Sequence, residues 1–261
     1  MVRRILGLYL VLVLLVCGGE AEAGQLLDRF AEFPHWQSKP PVSPATGDLV
    51  YPAWMEGNWQ VTSILVDQVA PLAPEVVTPG FESNRRHLNE AVSFEVRFQA
   101  VQKDSLMSKI QTTKTPAFNS TEILADRAFN GLNIGKAYLG ENSIQSVKVA
   151  PASPNRQITT LSTGRQLISI VTGRASETPD PDQFVATEVS NQVFRGTSTP
   201  YFNQVETTTK YVRSLIPPLS IEADQITALY LSPQDADYFK ALNRPVALYR
   251  YRLQLLPVEN P

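Results

Sequence analysis

From Trp59 almost to the end of the chain, apolar residues keep returning at every second position, and that period decides most of what this chain can become. The clearest case is Val92-Ser93-Phe94-Glu95-Val96-Arg97-Phe98-Gln99, apolar on one side and polar on the other. Successive side chains of a strand point to opposite faces, so such a run belongs to a sheet with one face buried and one wetted. Trp59, Val61, Ser63 and Leu65 alternate with Gln60, Thr62 and Ile64 in the same way. Similar runs follow at residues 105–115, 144–150, 156–161, 166–175, 184–195, 203–214 and 226–231. In the last run, residues 247–256, Tyr249, Tyr251, Leu253 and Leu255 share a face. β-branched residues such as Thr207, Thr208 and Thr209 suit these strands. About nine strands at short spacing, with no βαβ rhythm, predict a mainly β, antiparallel barrel or sandwich. Closing the sheet into a barrel would remove its exposed edges.

Two stretches interrupt the pattern. Residues 120–138 carry a helix start at Ser120-Thr121-Glu122, with Ile123, Leu124, Ala128 and Leu132 spaced for one face, although Gly131 and Gly135 weaken it. Ser232-Pro233-Gln234-Asp235 reads as a second start, with Tyr238, Phe239 and Leu242 as its apolar side and Pro245 as its end. These give one or two helices peripheral to the sheet. Residues 71–80 and 178–182 read as loops.

The amino terminus has the form of a secretory signal: Arg3 and Arg4, an apolar run at residues 5–16, then small and polar residues. That run is shorter than the roughly 20 apolar residues that span a hydrocarbon core. Ala21-Glu22-Ala23 places cleavage after Ala23, and no later stretch of the mature chain reaches spanning length. The single cysteine, Cys17, offers lipoprotein acylation as an alternative, but Val16 stands just before it, where such sites take Gly, Ala or Ser. The organisation expected is therefore a signal peptide at 1–23, a Pro-rich N-terminal tether at 24–52 and a single β-barrel domain at 53–261. Pro34, Pro40, Pro41 and Pro44 keep the tether extended, either wandering or lying along the body.

Composition then excludes whole classes of chemistry. A chain cleaved after Ala23 keeps no cysteine, which removes disulfides, thiolate metal sites and cysteine nucleophiles together. The formal net charge of −2 offers no dense basic face for nucleic acid. The two histidines, His35 and His87, sit in no metal-ligand or hydrolase motif, so neither a metal nor a cofactor is expected. Arg85 and Arg86 form the densest basic patch. They could take an anionic group through paired hydrogen bonds, or simply sit in a solvated loop.

Gly57-Asn58-Trp59, opening the first good strand, resembles the Gly-x-Trp signature of lipocalins and the wider calycin group. That resemblance implies a calycin-like barrel whose tryptophan closes one end, with an arginine of the last strand, Arg250 or Arg252, packed across it. Such a guanidinium would be held by cation–π attraction and by burial of its stem. The stretches at residues 51–59 and 188–195 are similar to an uncharacterised family of cyanobacteria and plastids, which implies a periplasmic or thylakoid-lumen setting and supplies no reaction. Within a barrel, Trp59, Phe94, Phe98, Tyr249 and Tyr251 would either fill the interior or line a cavity for an apolar ligand, with Arg250 as its polar contact. The expectation is an exported, non-catalytic protein that binds a small apolar or amphipathic ligand, lipid or pigment-like. The alternative is an accessory protein acting through its surface on a membrane complex. An enzyme comes third, because it would need a polar pocket of converging titratable groups, and the chain offers two histidines and, after cleavage, no cysteine.

Overall fold

The computed structural model describes residues 24–102, 121–196 and 199–258. Its strands are β1 (Ser43–Pro44), β2 (Val50–Tyr51), β3 (Gly57–Val69), β4 (Ala91–Gln102), β5 (Thr121–Ala125), β6 (Ile144–Ala150), β7 (Ser153–Leu161), β8 (Gln166–Asp180), β9 (Gln183–Arg195), β10 (Tyr201–Ser214), β11 (Ser220–Leu231) and β12 (Ala247–Pro257). Among the described residues four α-helical segments accompany them, α1 (Gln25–Ala31), α2 (Phe81–Asn84), α3 (Arg127–Leu139) and α4 (Tyr238–Ala241), with 3-10 turns at Ala53–Met55 and Arg85–His87. The strands form a single sheet in the order β2-β5-β4-β3-β12-β11-β10-β9-β8-β7-β6, with β1 added beside β8. It is mainly β and antiparallel, curled into a half-barrel.

Nine of these strands fall on the alternating runs of the sequence. The run at 105–115 lies outside the described residues. β1, β2 and β5 were not anticipated, because two to five residues are too few to display a period. The loop expected at 178–182 is instead a tight hairpin, β8 reaching Asp180 and β9 starting at Gln183.

The inner face holds the main core. Trp59 and Val61 of β3 meet Phe94, Val96 and Phe98 of β4, Leu255 of β12, Ile221 and Ala223 of β11, and Phe184 and Ala186 of β9. Trp59 pairs in register with Val96 on one side and Pro257 on the other, and its indole Nε1 donates to the Met55 carbonyl at 2.9 Å.

Helix α3 lies between the two ends of the curled sheet, packed on β4 on one side and on β6 and β7 on the other. Its glycines permit this approach. A Cβ on Gly135 would stand 3.0 Å from Ile144 Cγ1, and one on Gly131 would stand 3.1 Å from Val147 Cγ1. On the β4 side Asn130 substitutes for a strand, accepting from Arg97 N at 2.7 Å and donating to Arg97 O at 3.2 Å. The helix starts later than the sequence suggests. Residues 121–125 are strand β5, paired with β4, and Asp126 is the cap, its Oδ1 accepting from Phe129 N at 3.0 Å. β-sheet pairing overrides the cap-like Ser120-Thr121-Glu122 because Thr121 and Ile123 suit a strand. The second expected helix shrinks to the single turn α4. Phe239 and Leu242 are exposed there, and Ala241 is the residue that is buried.

Residues 24–52 do not wander. Leu26, Arg29 and Trp36 are buried on the outer face of the sheet, with Trp36 against Ile226, Ala228, Tyr230 and Leu248. Beneath them, Arg29 makes a two-pronged ion pair with Glu206 at 2.7 and 2.8 Å. Tyr230 donates to Glu206 at 2.6 Å, and the Arg29 guanidinium lies 3.8 Å over the Trp36 ring. His35, next door, stays exposed.

Candidate ligand-binding chamber

Where the curled sheet faces helix α3, the side chains leave a chamber of about 390 Å³. Its apolar walls include Val61, Phe94, Val96, Phe98, Leu253 and Leu255, from three neighbouring strands. Helix α3 contributes Asn130, Ile134 and Tyr138, spaced four residues apart so that they fall on one side of the helix. Polar groups are few: Ser63, Gln225, Thr227 and the hydroxyls of Tyr51, Tyr138, Tyr211 and Tyr251. A mostly apolar concavity with a few polar groups is the usual form of a small-molecule site.

Burial keeps the phenols neutral. It raises Tyr51 well above the ordinary range, with Tyr211 and the Glu188 carboxylate adding to the effect. Tyr211 is pushed up to about 12 by burial, partly offset by a hydrogen bond with Thr209. Tyr251 is raised by burial, and Tyr138 is raised by burial against the opposing bond with Ser63. The Tyr138 and Ser63 hydroxyls are 2.9 Å apart. Neither the Tyr51 nor the Tyr251 hydroxyl has a hydrogen-bond partner among the described residues.

A four-charge cluster ties α3 to the sheet near Tyr51. Arg127, the first residue of α3, donates to Asp48 at 2.6 Å and to Glu188 at 2.8 Å. Arg174 of β8 donates to Glu188 at 2.6 Å and to Asn155 at 2.8 Å. Burial opposes ionisation of Glu188, but the bond and charge of Arg127, joined by Arg174, hold its carboxyl below the usual range. Both guanidiniums are thus committed to protein groups.

At the other end, Tyr138 and Tyr251 also border a second cavity of about 220 Å³, lined by Leu65, Asn84, His87, Glu90 and Val92. His87 Nδ1 stands 3.5 Å from Glu90, and Arg86 Nε donates to His87 Nε2 at 3.1 Å. Arg85 pairs with Glu82 at 3.2 Å, and both arginines point to solvent.

Of the residues singled out by sequence, Phe94, Phe98 and Tyr251 line the chamber. Trp59 is core beside it. Tyr249 packs with Phe81 farther along the inner face, and its hydroxyl accepts from Asn84 at 3.2 Å. Arg250 departs from expectation. It lies on the outer face, ion-paired to Asp224 and 5.4 Å over the Phe33 ring, and reaches neither Trp59 nor the chamber. The reason is register and parity: Trp59 pairs with Pro257, Arg250 with Asp67, and alternate residues of β12 face opposite ways. Tyr51, Tyr138 and Tyr211 were not foreseen. Tyr51 sits on a strand of two residues. Tyr138 shows its spacing only once the helix start moves to Asp126. Tyr211 falls in a strand whose tyrosine gave no separate signal.

Among the described residues, no group of three His, Cys, Asp or Glu side chains could hold a metal, and no helix is long and apolar enough to cross a membrane. Residues 43–259 match a domain of unknown function, DUF6816, and the chain belongs to that family. No curated protein and no solved structure matches the chain.

Proposed function

We propose that this is an exported, non-catalytic protein that holds one small apolar or amphipathic ligand, lipid or pigment-like, in the chamber between the inner face of the sheet and helix α3. The observation that carries this reading is the chamber itself: about 390 Å³ of mostly apolar walls with a few hydroxyl and amide groups. A protein interior otherwise packs with few voids larger than a water molecule. The Gly57-Asn58-Trp59 opening of β3 and the curled, inward-filled sheet support a calycin-like kinship. The signal-like terminus supports export to a periplasm or thylakoid lumen of a photosynthetic cell, with cleavage after Ala23.

Native mass spectrometry of the protein isolated from its own source, with a visible absorption scan, tests the reading. The expected result is a chain starting at Gly24 with a stoichiometric extra mass that leaves on denaturation. Replacing Thr227, on the chamber wall, by Phe should lower occupancy several-fold. An empty chain that also takes up no apolar probe overturns the proposal.

A second reading has one observation in its favour. Leu215, Ile216 and Leu219, between β10 and β11, are 62%, 78% and 58% exposed. Clustered exposed apolar groups mark interaction surfaces, so an accessory role on a membrane complex would act through this tip. Cross-links from residues 215–219 to a partner, with an empty chamber, would favour it.

A further inference from the structure

The chemistry of the chamber wall narrows what it can hold, taking the carrier reading above as given. No Asp, Glu, Lys, Arg or His lines the chamber among the described residues. An ionised ligand group buried there would find no counter-charge, and an unpaired buried charge is strongly disfavoured. The cations nearest the Tyr51 end cannot supply one, because Arg127 is held by Asp48 and Glu188, and Arg174 by Glu188 and Asn155. At the Tyr251 end, Arg86 and Glu90 both contact His87 outside the chamber, so their opposite charges offset one another and neither reaches its wall.

The polar groups that remain differ in how free they are. Asn130 spends both ends of its amide on the Arg97 backbone, Ser63 and Tyr138 share one hydrogen bond, and Gln225 is engaged with Thr209 and Thr227. Tyr51 and Tyr251 keep hydroxyls with no partner. Neither hydroxyl is sealed from solvent, so the penalty falls only when a ligand displaces its water: a ligand that covers the phenol without accepting from it leaves a donor unpaired, at a cost of about 1–3 kcal/mol. These two wall residues therefore ask for an acceptor from the ligand.

We propose that the chamber selects an uncharged ligand bearing an acceptor oxygen, such as a ketone or ester carbonyl, which takes a hydrogen bond from Tyr251 or Tyr51 while the rest of the molecule lies against Phe94, Phe98 and Leu253. Free fatty acids and other anionic amphiphiles are selected against.

Three fluorescent probes of similar ring size test this on the mature chain: a propionyl-dimethylaminonaphthalene ketone, dimethylaminonaphthalene without the carbonyl, and anilinonaphthalene sulfonate. The ketone is expected to bind about 3- to 10-fold more tightly than the ring without it, the range of one net hydrogen bond. The sulfonate should be the weakest. Tyr251→Phe or Tyr51→Phe should remove most of the ketone's advantage over the plain ring, whichever way the ring's own affinity moves, and continued binding of the plain ring reports an intact chamber. Sulfonate binding equal to the ketone's, or full ketone preference in both variants, overturns the proposal while leaving the carrier reading in place. If none of the three probes binds the wild-type chain, the carrier reading falls and this proposal falls with it.

Discussion

At the scale of single residues, the chemistry concentrates in charges that are paired and phenols that are not. Glu188 illustrates the first. Its carboxylate receives Arg127 and Arg174, and their pull outweighs the burial that opposes ionisation, so its pKa lies below the ordinary 4.5. A carboxyl with a depressed native pKa adds stability that is fully present above its unfolded pKa and lost as pH falls through the native value. Replacing Glu188 by Gln should cost about 1–3 kcal/mol near neutral pH, through the loss of charge-assisted bonds. The gap between variant and wild type should begin to narrow as pH drops below about 4.5, where the unfolded carboxyl protonates, and keep narrowing as pH falls through the lower native value, below which the wild-type carboxyl is neutral as well. Urea denaturation from pH 7 to pH 3 measures this. A gap that stays constant or widens in acid would show that the cluster does not act through this ionisation. Arg250 teaches the opposite lesson. Its identity suggested a contact across Trp59, yet strand parity alone turns it to the outer face.

At the scale of elements, the long strands were legible and the short ones were not. A period of two needs several repeats before it stands out, which β3, β4 and β6–β12 provide and β1, β2 and β5 do not. Three of the chamber's aromatics, Phe94, Phe98 and Tyr251, could be read off such alternation. Tyr51 and Tyr138 could not, because each depends on where a short strand or a helix begins. Gly131 and Gly135 looked like defects in a helix. In the fold they are what lets α3 sit against β6 and β7 and cover the open side of the half-barrel. Helix propensity and tertiary packing thus pull in opposite directions at Gly135. Any side chain there other than proline would raise propensity by up to ~1 kcal/mol. A leucine, however, must enter space held by Ile144, whose Cγ1 would be only 3.0 Å from the new Cβ. Overpacking of this kind costs about 1–3 kcal/mol, so Gly135→Leu should be net destabilising. Adding Ile144→Ala in the same chain should recover part of the loss, because it empties that space. Thermal melts of the two variants decide the matter. An unchanged or raised melting temperature for Gly135→Leu would mean that α3 does not press on β6.

At the scale of the whole molecule, the sheet is covered on both faces by pieces that lie apart in the chain: α3 on the inner side, and the segment before β1 on the outer. The outer cover lies before residue 43, where the family match begins, yet it buries Leu26 and Trp36 almost completely. It is also locked by charge. Glu206 is fully buried, and its counter-ion Arg29 comes from the covering segment, 177 residues away in sequence. A buried ion pair adds little over a well-packed apolar pair, but breaking it from one side strands a charge. Arg29→Ala should therefore cost about 3–5 kcal/mol, because Glu206 would remain under Trp36 with only Thr208 and Tyr230 to donate to it. Glu206→Gln added to that variant should return a good part of the loss, since the amide oxygen can still accept from Tyr230 and no charge stays unpaired. Urea denaturation of the two single variants and the double closes the cycle. The fluorescence of Trp36 reports whether the cover has lifted. A cost for Arg29→Ala below ~1 kcal/mol with Trp36 still buried would mean that the segment is held by its apolar contacts alone. A large cost that Glu206→Gln partly reverses would mean that the charge lock makes this cover a fixed part of the fold.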